Sequence, residues 1–310
     1  MLKEYFAIGF GEESRRSEDN RVLLALGDIS SIRNETDNYS YLVKFIDEAE
    51  TLMFFNRFPG SRFVKVHNVF KSDETNTYYY EMDYCHNGNL EDYLRDNGPM
   101  PEDELIRRII VPVAEALNLM HNNGWLHLDI KVNNILIDDE GYAVLGDLGI
   151  SQHYVDGKKV TKGGGAGTSG HAAPQQSDMH FTEEFHPELD VYSLAVLLYE
   201  AMTKRDSNFF DLDSPECDCI SEEAKNALRT AIDGDLETTP KSVLEFIHLL
   251  PGCKDVTFTI PEPVDDAEEE EEEDGEDWNW LDEKDGVLDT EDAPKESDQK
   301  SGSCGTSSDE

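Results

Sequence analysis

Basic residues are scarce in this sequence. Its 26 lysines and arginines stand against 68 aspartates and glutamates, which gives a formal net charge of −42 at pH 7. Residues 262–310 alone hold 22 acidic residues and 3 lysines. A surface with this much negative charge repels nucleic acids and anionic membranes, and we expect neither as a partner. It suits basic peptide or protein partners.

Cysteines and long apolar runs are also few. The cysteines are Cys85, Cys217, Cys219, Cys253 and Cys304. Five scattered thiols do not form a disulfide framework, which fits a reducing compartment. No apolar run reaches the roughly 18 residues needed to cross a bilayer. Residues 1–5 lack the apolar core of a secretory signal. We therefore expect a soluble, cytoplasmic protein.

One stretch carries closely spaced polar residues. Residues 127–134 read His-Leu-Asp-Ile-Lys-Val-Asn-Asn, and Asp147-Leu148-Gly149 follows thirteen residues after Asn134. Asp129 can accept a proton from a hydroxyl nucleophile, and Lys131 can neutralise charge on a moving phosphoryl group. Asn134 and Asp147 offer oxygen ligands to Mg²⁺. Each fragment alone is typical of an ordinary turn, but their combination favours the chemical interpretation.

This combination resembles the catalytic loop and the metal-binding D-[FL]-G of the protein-kinase family. The resemblance covers about residues 20–250 and is strongest with the eukaryotic-type Ser/Thr kinases found in bacteria. It implies an α+β bilobal fold, with a small antiparallel-sheet N-lobe and hinge in residues 1–85 and a helical C-lobe in residues 86–252. Residues 253–310 are expected to be a disordered acidic tail. ATP, Mg²⁺ and a protein substrate follow from the same resemblance.

The resemblance also implies a nucleotide pocket. Met82 corresponds to the gatekeeper of the family, and the Asp83 carbonyl and Cys85 amide to the groups that bond adenine. Leu136 corresponds to the floor of the pocket. Glu48 corresponds to the glutamate of the regulatory helix, which pairs with a lysine that holds the nucleotide phosphates.

Two further matches support the catalytic loop. Thr168, in Gly167-Thr168-Ser169, corresponds to the threonine that contacts the catalytic aspartate and lysine of Ser/Thr kinases. Asp190, in Asp190-Val191-Tyr192-Ser193, corresponds to the buried aspartate that accepts backbone N–H bonds from the loop. Leu128 replaces the family's loop arginine, so we do not expect control by phosphorylation of the activation segment.

The N-terminal part departs from the family pattern. The best match to the third-strand V-A-I-K is Val22-Leu23-Leu24-Ala25, which puts Ala25 at the lysine position. Ile8-Gly9-Phe10-Gly11 matches the glycine-rich loop poorly. Lys44 is only four residues from Glu48, too close to be the strand lysine. A cation from elsewhere would have to substitute, and the candidates are Arg15, Arg16 and Arg21.

Two hypotheses follow. The first is an active Ser/Thr protein kinase, supported by the complete set of Asp129, Lys131, Asn134 and Asp147. The second is a pseudokinase that binds nucleotide or acts as a scaffold, supported by Ala25 and the eroded glycine loop.

Overall fold

The structure is a computed structural model. It describes residues 1–5, 15–16, 22–23, 37–160, 168, 170–177, 183–205, 208, 210–233 and 237–264. Ala25, Arg21, residues 8–11 and most of the predicted acidic tail, from residue 265 onward, lie outside the described residues. No helix in the described part of the chain is both long enough and apolar enough to span a membrane.

The N-lobe is built on an antiparallel sheet of three strands in the order β1-β5-β4. The strands are β1 (Leu2–Glu4), β4 (Val66–Ser72) and β5 (Thr77–Met82). Because side chains alternate along a strand, Tyr78, Tyr80 and Met82 of β5 are buried on one face. β2 (Arg15–Arg16) and β3 (Val22–Leu23) form a separate two-stranded sheet. β4 and β5 are consecutive strands and form an antiparallel hairpin.

Helix α1 (Asp37–Asn56) packs its apolar face into the N-lobe core. The buried residues at helical spacing are Leu42, Phe45, Ile46, Ala49 and Leu52. At the C-terminal end of the helix, Phe55 stacks on Phe63 with ring centroids 4.8 Å apart. The following turn is bonded to strand β8 (Ala143–Leu145) of the C-lobe, since the Leu145 amide donates to the Arg62 carbonyl at 2.7 Å.

The C-lobe is mainly helical, as the sequence predicts. Its helices are α2 (Leu90–Asn97), α3 (Glu102–Leu105, a π-helical turn Ile106–Ile110, and Val111–Asn122), α4 (Glu188–Thr203), α5 (Glu222–Leu228) and α6 (Val243–Leu249). Its strands are β6 (Trp125–Leu126), β7 (Ile135–Ile137), β8 (Ala143–Leu145), β9 (Gln152–Val155) and β10 (Lys158–Lys159).

The π-helical turn inside α3 departs from the expected regular helix. Pro112 follows it, and a proline has no N–H to donate to a carbonyl one turn earlier. Next to this interruption the Val111 amide donates to the Ile106 carbonyl, five residues back. The wider π-helical turn accommodates the missing proline N–H, and the helix continues beyond it.

The packed chain extends beyond the predicted boundary at residue 252. Residues 254–264, here called the strap, follow α6 without forming a helix or a strand. Val256 and Phe258 pack partly buried against the core, and the Val256 carbonyl bonds His248 Nε2 at 2.8 Å. The Val264 amide donates to the Arg57 carbonyl at 2.8 Å. The strap thus joins the C-lobe to the end of helix α1, which composition alone did not indicate.

We expect the strap to contribute to stability. A chain ending at Cys253 should unfold about 2–4 kcal/mol more easily than a chain ending at Val264, because it leaves the sites of Val256 and Phe258 uncovered. Urea denaturation of the two chains measures the difference. Ile260→Ser in the longer chain is the control, since Ile260 is 41% exposed and should matter little. Equal midpoints for the two chains would contradict the packing role.

Candidate active site

Asp190 holds the shape of the catalytic loop. Its side chain is fully buried at the start of α4 and accepts hydrogen bonds from the His127 amide at 2.9 Å and the Leu128 amide at 2.8 Å. His121 Nε2 lies 2.8 Å from the same carboxylate. Burial alone would raise the pKa of Asp190, but the hydrogen bond and charge of His121 and the loop amide hold it below the ordinary aspartate value. The predicted role of Asp190 is confirmed.

The bonded amides let the loop adopt a backbone conformation that is otherwise unfavourable. Leu128 has φ +66°, in the left-handed region that costs a branched residue energy. Its carbonyl also accepts a bond from Gln176 Nε2 at 2.8 Å. With both backbone groups paired, the turn directs the next side chain, Asp129, toward its polar partners.

Asp129 stands at the centre of a polar cluster. Lys131 Nζ donates to its Oδ2 at 2.6 Å, and the Thr168 hydroxyl to its Oδ1 at 2.6 Å. Lys131 also bonds Thr168 at 2.8 Å, and Asn134 Nδ2 reaches Asp129 Oδ2 at 2.9 Å. Burial raises the pKa of Asp129, but the Lys131 and Thr168 bonds outweigh it and the pKa lies below the usual value. Asp129 is therefore a carboxylate at neutral pH.

Asn134 and Asp147 provide oxygen atoms near one another in the fold. The Gly146 amide donates to the Asn134 carbonyl, which ties the residue before Asp147 to the loop. Asn134 uses its Nδ2 on Asp129, so its Oδ1 is the atom left for a cation. Asp147 has φ +54°, and its carboxylate is about half exposed. One carboxylate and one amide oxygen suit Mg²⁺, which also takes water and phosphate oxygens.

A denser metal centre does not occur in the described part of the chain. No group of three or more His, Cys, Asp and Glu side chains could hold an ion there.

Glu48 pairs with Lys3. Lys3 Nζ lies 2.6 Å from Glu48 Oε1 and 4.0 Å from Asp147 Oδ1. Glu48 is 5% exposed, so it is not an ordinary acidic residue on the surface of the helix. Burial raises its pKa, and the charge of Lys3 lowers it only partly. The Tyr80 hydroxyl donates to the same Glu48 oxygen at 3.0 Å.

The sequence leaves open which cation replaces the missing third-strand lysine, with Arg15, Arg16 and Arg21 as the candidates. In the structure the cation that pairs with Glu48 is Lys3. Lys3 lies on β1, which pairs antiparallel with β5. Sequence reasoning missed Lys3 because the signal is a strand pairing across more than 70 residues.

The hinge residues follow β5 in the expected order. Met82 is buried at the end of the strand, and the Asp83 amide donates to the Lys65 carbonyl. Among the described residues, nothing bonds the Asp83 carbonyl or the Cys85 amide. Leu136, on β7, lies partly buried and close to Gly146. These positions are compatible with the predicted adenine pocket.

Leu128 lies in a small apolar cluster that joins both ends of the activation segment, the part of the chain from Gly149 to Gln175. Its buried members are Leu126, Leu128, Tyr154, Ala173 and Leu189. Tyr154 comes from β9, soon after Gly149, and Ala173 from the far end of the segment. Burial raises the pKa of the Tyr154 hydroxyl to about 12. The segment is thus anchored by apolar packing at the position where the family has an arginine.

Comparison with known proteins identifies the family. The protein kinase domain model matches residues 23–256. Because the match covers most of the chain, the chain belongs to the protein kinase domain family. Lys3 lies before the matched region, so only the three-dimensional structure brings it to the site.

Individual relatives are kinases. The chain is 33% identical over 126 residues to the serine/threonine-protein kinase PknB of Mycobacterium leprae, covering 40% of this chain and 20% of that protein. It is 33% identical over 122 residues to PknL of Mycobacterium tuberculosis, covering 39% and 30%. It is 37% identical over 129 residues to an L-type lectin-domain containing receptor kinase of Arabidopsis thaliana, covering 40% and 19%. The similarity thus spans less than a third of each relative.

We expect Asp190→Asn to destabilise the protein by about 3 kcal/mol at pH 7, because two loop amides and His121 lose their charged acceptor. The folded-state pKa of Asp190 lies below its ordinary value, so the stability that it contributes is present above the ordinary pKa. The difference between wild type and variant should therefore shrink as the pH falls through the folded-state pKa. Chemical denaturation at a series of pH values measures this.

Asp103→Asn is the matched control for this measurement. Asp103 is exposed in the first turn of α3. Its substitution should change stability by less than about 0.5 kcal/mol. A comparable loss in both variants would show that Asp190 has no special part in the loop.

Proposed function

We propose that this protein is a Ser/Thr protein kinase that transfers the γ-phosphoryl group of ATP to a protein hydroxyl. The observation that carries the proposal is the Asp129 cluster, in which Lys131, Thr168 and Asn134 converge on one ionised carboxylate. The Lys3–Glu48 ion pair supports it, because it supplies the phosphate-holding lysine whose absence favoured a pseudokinase.

In the proposed reaction Asp129 acts as the base. Its carboxylate accepts the proton of a serine or threonine hydroxyl while that oxygen bonds to the γ-phosphorus. The bond to the β-phosphate oxygen breaks, and ADP leaves with its electron pair. Lys131 holds the Asp129 carboxylate and can neutralise charge on the transferred group. Positioning and electrostatics supply most of the catalysis in such reactions.

The other side of the site would bind the nucleotide. Lys3 would bond phosphate oxygens while Glu48 keeps its ammonium group in place. Asn134 and Asp147 would hold Mg²⁺, which neutralises phosphate charge when bound. The Asp83 carbonyl and Cys85 amide would bond adenine between Met82 and Leu136. An apolar pocket with a few fixed backbone groups is well suited to a purine.

The acceptor is expected to be a protein, and its surface to be basic. The net charge of −42 favours encounter with cationic partners. The same charge disfavours nucleic acids and anionic membranes. The cytoplasmic location stays a prediction.

Transfer of radiolabelled γ-phosphate to myelin basic protein, with Mg²⁺, tests the reaction. Asp129→Asn should abolish measurable transfer, and Lys3→Ala should lower kcat/KM for ATP by about 10²–10³-fold, since it removes a charged phosphate contact. Lys71→Ala is the control, because Lys71 is an exposed lysine on β4 and should retain activity. Transfer that survives in Asp129→Asn, or is absent in wild type, would refute the proposal.

Nucleotide binding is a separate test. Mg²⁺ and ATP together should raise the Tm of the wild type, since saturation at about 100 times Kd adds about 2.7 kcal/mol. Asp147→Asn should lose most of this shift while its Tm without ligand changes little, because the Asp147 carboxylate is half exposed. Asp156→Asn, in the exposed β9–β10 turn, should behave as wild type. An undiminished shift in Asp147→Asn would show that the metal assignment is wrong.

A further inference from the structure

Tyr80 joins the Lys3–Glu48 pair as a third member. In the β1–β5 pairing it stands directly opposite Lys3. Its hydroxyl donates to Glu48 Oε1 at 3.0 Å, the same oxygen that Lys3 Nζ approaches at 2.6 Å. Both contacts on this oxygen thus come from one pair of facing residues in the sheet.

The tyrosine is rigidly held. Tyr80 is 1% exposed, and its ring lies 5.1 Å from that of Phe45, the residue one helical turn before Glu48. The Lys3 ammonium group lies over the ring, 5.4 Å from its centroid. Burial, and then the charge of Glu48, raise the pKa of the hydroxyl far above its ordinary value. The hydroxyl is therefore a permanent donor.

Lys3 by itself is a weaker anchor for Glu48. Its side chain is 38% exposed, and its ammonium group also lies 4.0 Å from the Asp147 carboxylate. A nucleotide phosphate at the site would draw the ammonium group further toward the cleft. Tyr80 approaches from the protein interior and keeps its bond to Glu48 whichever way Lys3 turns.

We propose that Tyr80 is a positioning residue that fixes the Glu48 carboxylate, so that Glu48 can hold Lys3 toward the nucleotide phosphates. This inference rests on the proposed function of the site. Tyr80 itself touches neither substrate nor reacting atoms, and it acts through Glu48.

Kinetics with Tyr80→Phe test the proposal. The variant removes only the hydroxyl, and loss of a hydrogen bond to a charged group should lower kcat/KM for Mg·ATP by about tenfold. The KM for ATP should rise while the KM for myelin basic protein stays unchanged. A variant that was merely less folded would lose kcat with an unchanged KM for ATP, and that result would overturn the proposal.

Tyr78→Phe is the matched control. Tyr78 is two residues earlier on the same buried face of β5, and its hydroxyl bonds no residue that the structure describes. Its kinetic constants should stay within about twofold of wild type. An equal rise in the KM for ATP in both variants would show a general effect of the strand and would count against Tyr80.

A stability measurement tests the contact without relying on catalysis. In urea denaturation, Tyr80→Phe should lower the midpoint in the wild-type background. In a Glu48→Ala background, where the buried hydroxyl has lost its acceptor, it should leave the midpoint unchanged or raise it. Tyr78→Phe should have the same effect in both backgrounds. If Glu48→Ala does not fold, Glu48→Gln serves, where the effect of Tyr80→Phe should shrink because the bond is no longer charge-assisted. Equal effects of Tyr80→Phe in both backgrounds would overturn the inference.

The two proposals fail in different ways. A wild type that transfers no phosphate refutes the proposed kinase reaction. Calorimetric titration with Mg·ATP then tests the positioning role of Tyr80. Binding of Mg·ATP about tenfold weaker in Tyr80→Phe than in Tyr78→Phe supports this role, and equal binding by the two variants refutes it. If the wild type binds no Mg·ATP either, the positioning role is refuted with it, and urea denaturation still measures the Tyr80–Glu48 contact.

Discussion

The carboxylate of Asp190, at the start of helix α4, is surrounded by protein on all sides and bonded to two successive amides of the catalytic loop. A buried charge is costly unless its hydrogen-bonding capacity is filled. Here the two amides and His121 fill it. The same bonds from the Asp190 carboxylate fix the turn of the catalytic loop in which Leu128 has a positive φ. The position of Asp129, and of every group that bonds it, depends on this turn.

On the opposite side of the cleft, the decisive contact is between distant parts of the chain. Lys3, Glu48 and Tyr80 come from β1, α1 and β5 and meet at one carboxylate oxygen. A helix and a sheet that pack only through apolar side chains can slide, because such packing is not directional. Hydrogen bonds to one oxygen fix the rotation of α1 about its own axis relative to the sheet.

Sequence reasoning succeeded wherever the information was local. The residues from His127 to Asn134 and the Asp147-Leu148-Gly149 that follows them lie within one short segment. The kinase family and the α+β fold followed from them. Reasoning failed at Lys3 and at the strap, because both depend on contacts between segments far apart in the chain. An alanine at position 25 counted as a loss only because the pairing of β1 with β5 leaves no mark in the sequence.

The strap gives the C-lobe a direct mechanical connection to helix α1. Its last described hydrogen bond, from Val264 to Arg57, lies at the C-terminal end of the helix that carries Glu48. From Glu48 to Asn56, the last residue of the helix, α1 makes a little over two turns and rises about 12 Å. A displacement of the strap at Val264 would therefore act on the end of the helix that carries Glu48, the residue that pairs with Lys3.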